Sequence, residues 1–149
     1  MEETSDWQIL PAGWRDLNDL RQIEKICFGD DAWPLWDLVA VLTFGGIVRL
    51  KAAANDRMVG FVAGEIHSGE KVGWITTLGV IPEFRRQGIA KALLSACEEQ
   101  LGTAFVRLSV RRSNLAAINL YQRAGYVQAG IWPAYYVDRE DALILEKKR

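Results

Sequence analysis

Cysteine and histidine are scarce in this 149-residue chain, which carries two Cys, Cys27 and Cys97, and one His, His67. That scarcity argues against a zinc site of the usual Cys/His kind and against a disulfide-stapled secreted scaffold. Both cysteines lie in apolar, helix-periodic stretches and read as buried reduced thiols. An excess of charge of either sign is also missing. Lys and Arg number 18, Asp and Glu 19, and the formal net charge is −1. No global field therefore draws the chain to nucleic acid or to an anionic membrane, and any anion site must be local. No apolar run approaches a membrane span. The acidic, polar start "MEETSDWQIL" does not read as a secretory signal. Linkers, repeats and low-complexity segments are absent. What remains is 50% apolar and 25% charged, ordinary for a globular domain and long enough to bury a core without staples. The expectation is one domain over residues 1–149, in the cytoplasm, acting as an enzyme or binding domain with no metal and no nucleic-acid or membrane partner.

Periodicity orders the elements. "WQILPA" is a short first strand. Leu17, Leu20, Ile23 and Cys27 recur at helical spacing and predict a helix over about Arg15–Cys27. "FGDDAWP" breaks it, and Pro34 suits the first turn of a second helix reaching about Thr43. "GIVRLKAAA" and "MVGFVAGEI", joined by "NDR", read as a hairpin. "HSGEK" is a turn leading to the strand "VGWITTLGVI". A helix follows with Ile89, Leu93, Cys97 and Leu101 on one face and Gly102 at its end. "AFVRLSV" is a strand, and "SNLAAINLYQRAG" is a helix with Asn114 near its start. "YVQAG" and "DALILEKK" close as strands. This mixed order predicts an α/β chain around one central sheet.

The segment "GVIPEFRRQGIAKALL" concentrates the chemistry. A strand enters a loop with two arginines, Arg85 and Arg86, and a helix starts at once. A helix N-terminus presents unpaired N–H groups and about half a positive charge, which makes it an anion site. Gly88 and Ala90 keep the backbone accessible there. Guanidinium groups suit phosphate oxygens. The pattern points to a phosphate-bearing ligand, most simply a pyrophosphate, but it is neither a P-loop nor GxGxxG. A solvated basic turn before an ordinary helix is the other reading.

"RRQGIA" resembles the R/Q-x-x-G-x-G/A signature of the GNAT N-acetyltransferase superfamily. "LSVRRSNLAAINLYQRAGY" is similar to that family's second coenzyme A segment, and "YYVDREDALIL" resembles the closing strands of its protein N-terminal branch. That branch includes bacterial enzymes acting on a ribosomal-protein alanine. The resemblance spans essentially the whole chain. It implies a single mixed sheet of about seven strands with about four helices, splayed between the fourth and fifth strands, and acetyl-CoA as cosubstrate without a metal. Residue by residue, it implies that Leu78, Gly79 and Val80 pair with the pantetheine arm. It places Arg85, Arg86, Gln87, Gly88, Ile89, Ala90 and Lys91 on the pyrophosphate loop. Asn114 would contact the arm while also capping its helix. Tyr121 would be the acid that protonates the departing thiolate, and Trp33, Tyr135 and Tyr136 would wall the acceptor cleft.

The general base departs from the family pattern. Ser109 stands where relatives carry Glu or His, and Trp74 stands where another carries Tyr. Asp30, Asp31, Glu65 and His67 are further candidates, and none is assigned. An α-amine has a pKa of ~7.7–8.0 against ~10.4 for lysine, so a site without a strong base favours the former. The acceptor implied is a protein or peptide N-terminus, a ribosomal protein among the candidates. A small-molecule amine acetyltransferase and a non-catalytic acyl-CoA-binding module are the alternatives.

Overall fold

A computed structural model describes residues 6–67 and 71–149. The first five residues of the N-terminal stretch and residues 68–70 of the predicted "HSGEK" turn lie outside them. Among the described residues, seven strands form one sheet: β1 Gln8–Pro11, β2 Ile47–Ala54, β3 Arg57–Ile66, β4 Val72–Val80, β5 Phe105–Arg111, β6 Val127–Trp132 and β7 Ala142–Lys148. Their order is β1-β2-β3-β4-β5-β7-β6. Only β4 and β5 pair in parallel. The helices are α1 Leu17–Phe28, α2 Leu35–Thr43, α3 Ile89–Leu101 and α4 Leu115–Arg123. The expected mixed α/β sheet and its element order are present.

Boundaries move for local reasons. Trp14–Asp16 form a 3-10 turn ahead of α1, closed by Gly13 N donating to Asp16 Oδ2 at 2.9 Å. The first helix therefore starts later than its periodicity predicts. Pro34 is the N-cap of α2 with ψ 153° rather than a residue of its first turn.

The helices bury opposite faces of the sheet. On α3, Ile89, Leu93, Cys97 and Leu101 are buried, as their spacing requires. Glycines let α3 approach closely: a Cβ on Gly64 would lie 2.9 Å from Cys97 Sγ, and one on Gly73 2.9 Å from Leu101 Cδ1. On the other face a Cβ on Gly79 would meet Cys27 Sγ at 3.1 Å, so α1 sits directly against β4. Cys97 is buried as expected, but Cys27 is only half-buried, which corrects the sequence reading of two interior thiols. It stands where α1 runs out beside the end of β4 and one side of it stays open.

The sheet splays where β4 bulges. β4 and β5 pair only at Val72–Phe105, Gly73–Val106 and Trp74–Arg107. Immediately beyond, the β3–β4 register shifts, with Ala63 opposite Thr77 and Gly64 opposite Ile75. Thr76 is the extra residue, and its hydroxyl bonds back to Ala63 O at 3.2 Å. A bulge bends its strand and increases the local twist, so the rest of β4 swings away from β5. Its backbone edge then faces a gap. Among the described residues no helix is long and apolar enough to cross a membrane.

Candidate active site

The splay opens a cleft of about 1060 Å³. Leu78, Gly79 and Val80 of β4 form one wall, with Cys27 and Phe28 of α1 beside them. Asn114, Ala117, Asn119, Leu120, Tyr121 and Arg123, from α4 and its cap, form the other. Arg85, Arg86, Gly88, Ile89 and Ala90 close one end. A smaller hollow of about 630 Å³ lies at the β1–β2 edge, where Lys51 and Asp16 neutralise each other at 2.7 Å.

At the closed end, β4 passes through a 3-10 turn, Pro82–Phe84, into α3. Arg85 folds back, its Nε donating to Val80 O at 2.9 Å. Arg86 (φ 63°) and Gly88 (φ 83°) both take left-handed backbone. That conformation is free only for glycine, and nothing lies within 4 Å of a Cβ placed on Gly88. Gly88 is the N-cap of α3 and supplies no side-chain cap. The first N–H groups of α3 thus stay available, with an arginine pair beside them. This cradle fits a pyrophosphate. Gln87 and Lys91, predicted on the same loop, are exposed and do not line the cleft.

On the α4 wall, Asn114 is the N-cap, and its Oδ1 accepts from Ala117 N at 3.2 Å. Tyr121 is 9% exposed, its ring edge-on to Tyr126 at 5.8 Å. Burial pushes its phenol up to about 12, with Tyr136 adding to the shift. The group therefore holds its proton at any physiological pH and can give it only to a strongly basic atom nearby.

The three predicted acceptor-wall residues do not line this cleft. Tyr135 and Tyr136 lie on the β6–β7 loop, which is tied to the end of α1 by Arg111. Its guanidinium forms a two-point pair with Asp31, Nη2–Oδ1 at 2.8 Å and Nε–Oδ2 at 2.5 Å. It also donates to Asp138 and Glu140 and lies 4.0 Å from the centre of the Tyr136 ring. An aromatic series, His67, Trp74, Trp132, Tyr135 and Tyr136, continues from there with successive centroids 5.1–5.7 Å apart. The Trp74 Nε1 is buried and, among the described residues, has no acceptor. Trp33 packs partly buried against the core.

The base candidates separate by position. Ser109 shares a face of β5 with Arg111 by strand alternation and is half-buried. Asp30 is exposed. Asp31 is committed to Arg111. Glu65 and His67 engage each other at 3.4 Å, both half-exposed. Among the described residues no group of three or more His, Cys, Asp or Glu is placed to hold a metal ion. Sequence reasoning passed over Glu24, a buried carboxylate that accepts from Thr77 Oγ1 at 3.0 Å and from Trp33 N at 3.3 Å. A signal was present: Leu20, Ile23, Glu24 and Cys27 share the i, i+3, i+4, i+7 stripe, so a charge sits on the apolar face of α1.

Comparison with known proteins agrees with this geometry. Residues 14–126 match the acetyltransferase (GNAT) family. The chain is 33% identical over 139 residues to the N-terminal acetyltransferase A complex catalytic subunit NAA10 of Arabidopsis thaliana, across 89% of this chain and 72% of that protein. It is 25% identical over 156 residues to an N-alpha-acetyltransferase of Saccharolobus solfataricus, across 95% and 93%. The crystal structure of the ribosomal-protein-S18-alanine N-acetyltransferase from Escherichia coli superposes with a TM-score of 0.86 at 28% identity, covering 96% of this chain and 94% of that one. With the bulge-driven splay, the uncapped start of α3 and a family match over most of its length, the chain belongs to the GNAT family and is an acetyl-CoA-dependent acetyltransferase.

Proposed function

We propose that this acetyltransferase moves the acetyl group directly to the α-amine of a protein or peptide N-terminus. The observation that carries the mechanism is the shape of the cleft: an anion cradle at one end, a bare strand edge along one wall and a buried phenol at the other. In this reading the N–H groups at the start of α3, with Arg85 and Arg86, hold the pyrophosphate of acetyl-CoA. Gln87 and Lys91 contribute backbone or solvent-side charge rather than cleft wall. The backbone of Leu78, Gly79 and Val80 pairs with the arm, and Asn114 flanks it from α4. The amine attacks the thioester carbonyl, and the C–N bond forms as the C–S bond breaks. Tyr121 donates a hydrogen bond to the departing sulfur. A thiolate is a weaker base than a phenolate, so the phenol acts by hydrogen-bonding to charge that develops only as sulfur leaves.

The acceptor reading is supported by the relatives whose names specify N-terminal or N-alpha acetylation. The route to the amine runs between the β6–β7 loop, which carries Tyr135 and Tyr136, and the α1–α2 segment, which carries Trp33, and these offer aromatic surface with polar tips. The Escherichia coli likeness makes a ribosomal protein one candidate acceptor. We infer that the reaction takes place in the cytoplasm and that this chain performs it as one domain. The test is a pair of peptides of one sequence, one with a free N-terminus and no lysine, the other N-terminally blocked with a lysine. Mass spectrometry should find the first acetylated and the second nearly inert, because a lysine amine is neutral to under a part per thousand at pH 7. Efficient modification of the blocked peptide overturns the assignment.

A further inference from the structure

The apolar stripe of α1 is interrupted by a carboxylate. Glu24 is 2% exposed and, among the described residues, has no cation partner. Burying a charge this way is costly unless it is paired or becomes neutral. Among the described residues its oxygens are met only by the Thr77 hydroxyl and the Trp33 N–H. Burial raises its pKa, and these two hydrogen bonds oppose the rise. Few titratable groups face it. On α1 there is the Cys27 thiol, itself pushed up by burial and influenced by Arg85. The turn before α1 offers Asp16, bound to Lys51, and the turn after it Asp31, bound to Arg111. β3 offers Arg57, exposed, and Glu65, which engages His67. α2 offers Asp37, exposed. A buried carboxylate with no ion pair holding it among the described residues is easier to protonate than an exposed one.

Its position gives that capacity a use, on the function proposed above. If the pyrophosphate sits at the start of α3 and the arm runs back along Val80, Gly79 and Leu78, the next residue is Thr77. Gly79 faces α1, and alternation puts Thr77 on that same face. The reacting end of the arm therefore ends next to Thr77 in sequence, whose buried hydroxyl, held by Glu24, lies just behind the residues that line the cleft. Ser109, across the splay on β5, supplies no carboxylate.

We propose that Glu24 is the proton acceptor for the incoming amine, reached through the Thr77 hydroxyl. The amine enters neutral, and its nitrogen bonds to the carbonyl carbon as the C–S bond breaks. Its surplus proton passes to Thr77 Oγ1 while Thr77 passes its own to the Glu24 carboxylate. The sulfur leaves as a thiolate hydrogen-bonded by the Tyr121 hydroxyl. Once products leave, Glu24 gives up the amine's proton and the thiolate takes one up from solvent, so the cycle balances.

The test is the acid limb of kcat/KM for a free-N-terminus peptide. The wild type should fall with unit slope below the amine pKa and with a second unit slope below the Glu24 pKa. Glu24→Gln should lower kcat by ~10²-fold or more and leave a single unit slope. Thr77→Val cuts the relay and should lower kcat as Glu24→Gln does, leaving a single unit slope, and Thr77→Ser should restore both the rate and the second slope. Both slopes surviving in Glu24→Gln, even with a lowered rate, overturn the proposal and leave Glu24 as an anchor for the α1–α2 loop. If Glu24→Gln does not fold, the Thr77 pair decides: a Thr77→Val variant that keeps both slopes and a rate close to that of Thr77→Ser refutes the relay. A wild type that binds acetyl-CoA but acetylates no peptide instead refutes the acceptor reading beneath it.

Discussion

Replacing Tyr121 with Phe separates chemistry from folding. The hydroxyl makes no hydrogen bond to another described residue, and the ring is held by its edge contact with Tyr126 at 5.8 Å. Tyr121→Phe keeps that packing, so stability should change by less than about 1 kcal/mol. Catalysis should not survive so well. A positioned acid is worth ~10²–10⁴-fold, or ~2.7–5.5 kcal/mol of barrier. The wild-type phenol stands at about 12 in the fold, against an ordinary 10, because it is buried. The proton is therefore in place through the whole neutral range, and Tyr121 should impose no alkaline limb on kcat below about pH 10. The linkage has the same sign: stability tied to this group is whole below about pH 10 and is lost as pH rises through about 12. The assay is single-turnover thiol release with peptide and acetyl-CoA, beside thermal melting and calorimetric binding of acetyl-CoA. Melting and cofactor affinity should match the wild type while the rate falls at least ~10²-fold. A single-turnover rate within threefold of wild type in ~10²-fold windows of this kind removes Tyr121 from the chemistry.

Two other changes probe the two ends of the site. Gly88→Glu places a side chain on left-handed backbone, at a cost of ~1–2 kcal/mol, and sets a carboxylate among the free N–H groups of α3. Titration calorimetry should find no acetyl-CoA binding by the folded variant, and retained affinity would discard the anion cradle. Arg111→Ala cuts the tie between the end of α1 and the β6–β7 loop. Losing charge-assisted bonds to Asp31 should cost ~1.5–3 kcal/mol in a denaturant melt, raise KM for peptide and leave acetyl-CoA affinity unchanged. Equal loss of both affinities would show that the loop does not serve the acceptor side alone.

Much of this protein is written in local sequence. The stripe Ile89, Leu93, Cys97 and Leu101 encodes α3 and its buried face, because burial at a 3.6-residue period needs no knowledge of the partner. The arginines and Gly88 before that helix announce an anion site, because a helix start is electropositive wherever it lies. The order of strands and helices follows from the same periodicities. The geometry of the site does not. The splay depends on one extra residue, Thr76, in the β3–β4 register, and a bulge exists only when two strands are laid together. Cys27 looked like an ordinary interior thiol until α1 was packed against Gly79, which left one side of it at the cleft. The grouping of Arg111 with Asp31, Asp138 and Glu140 joins segments up to 80 residues apart, and no local pattern pairs those charges. Glu24 is the clearest case. Its place on an apolar stripe was visible along the chain, but that its partner is Thr77, 53 residues away at the mouth of the splay, was decided only when helix and strand met.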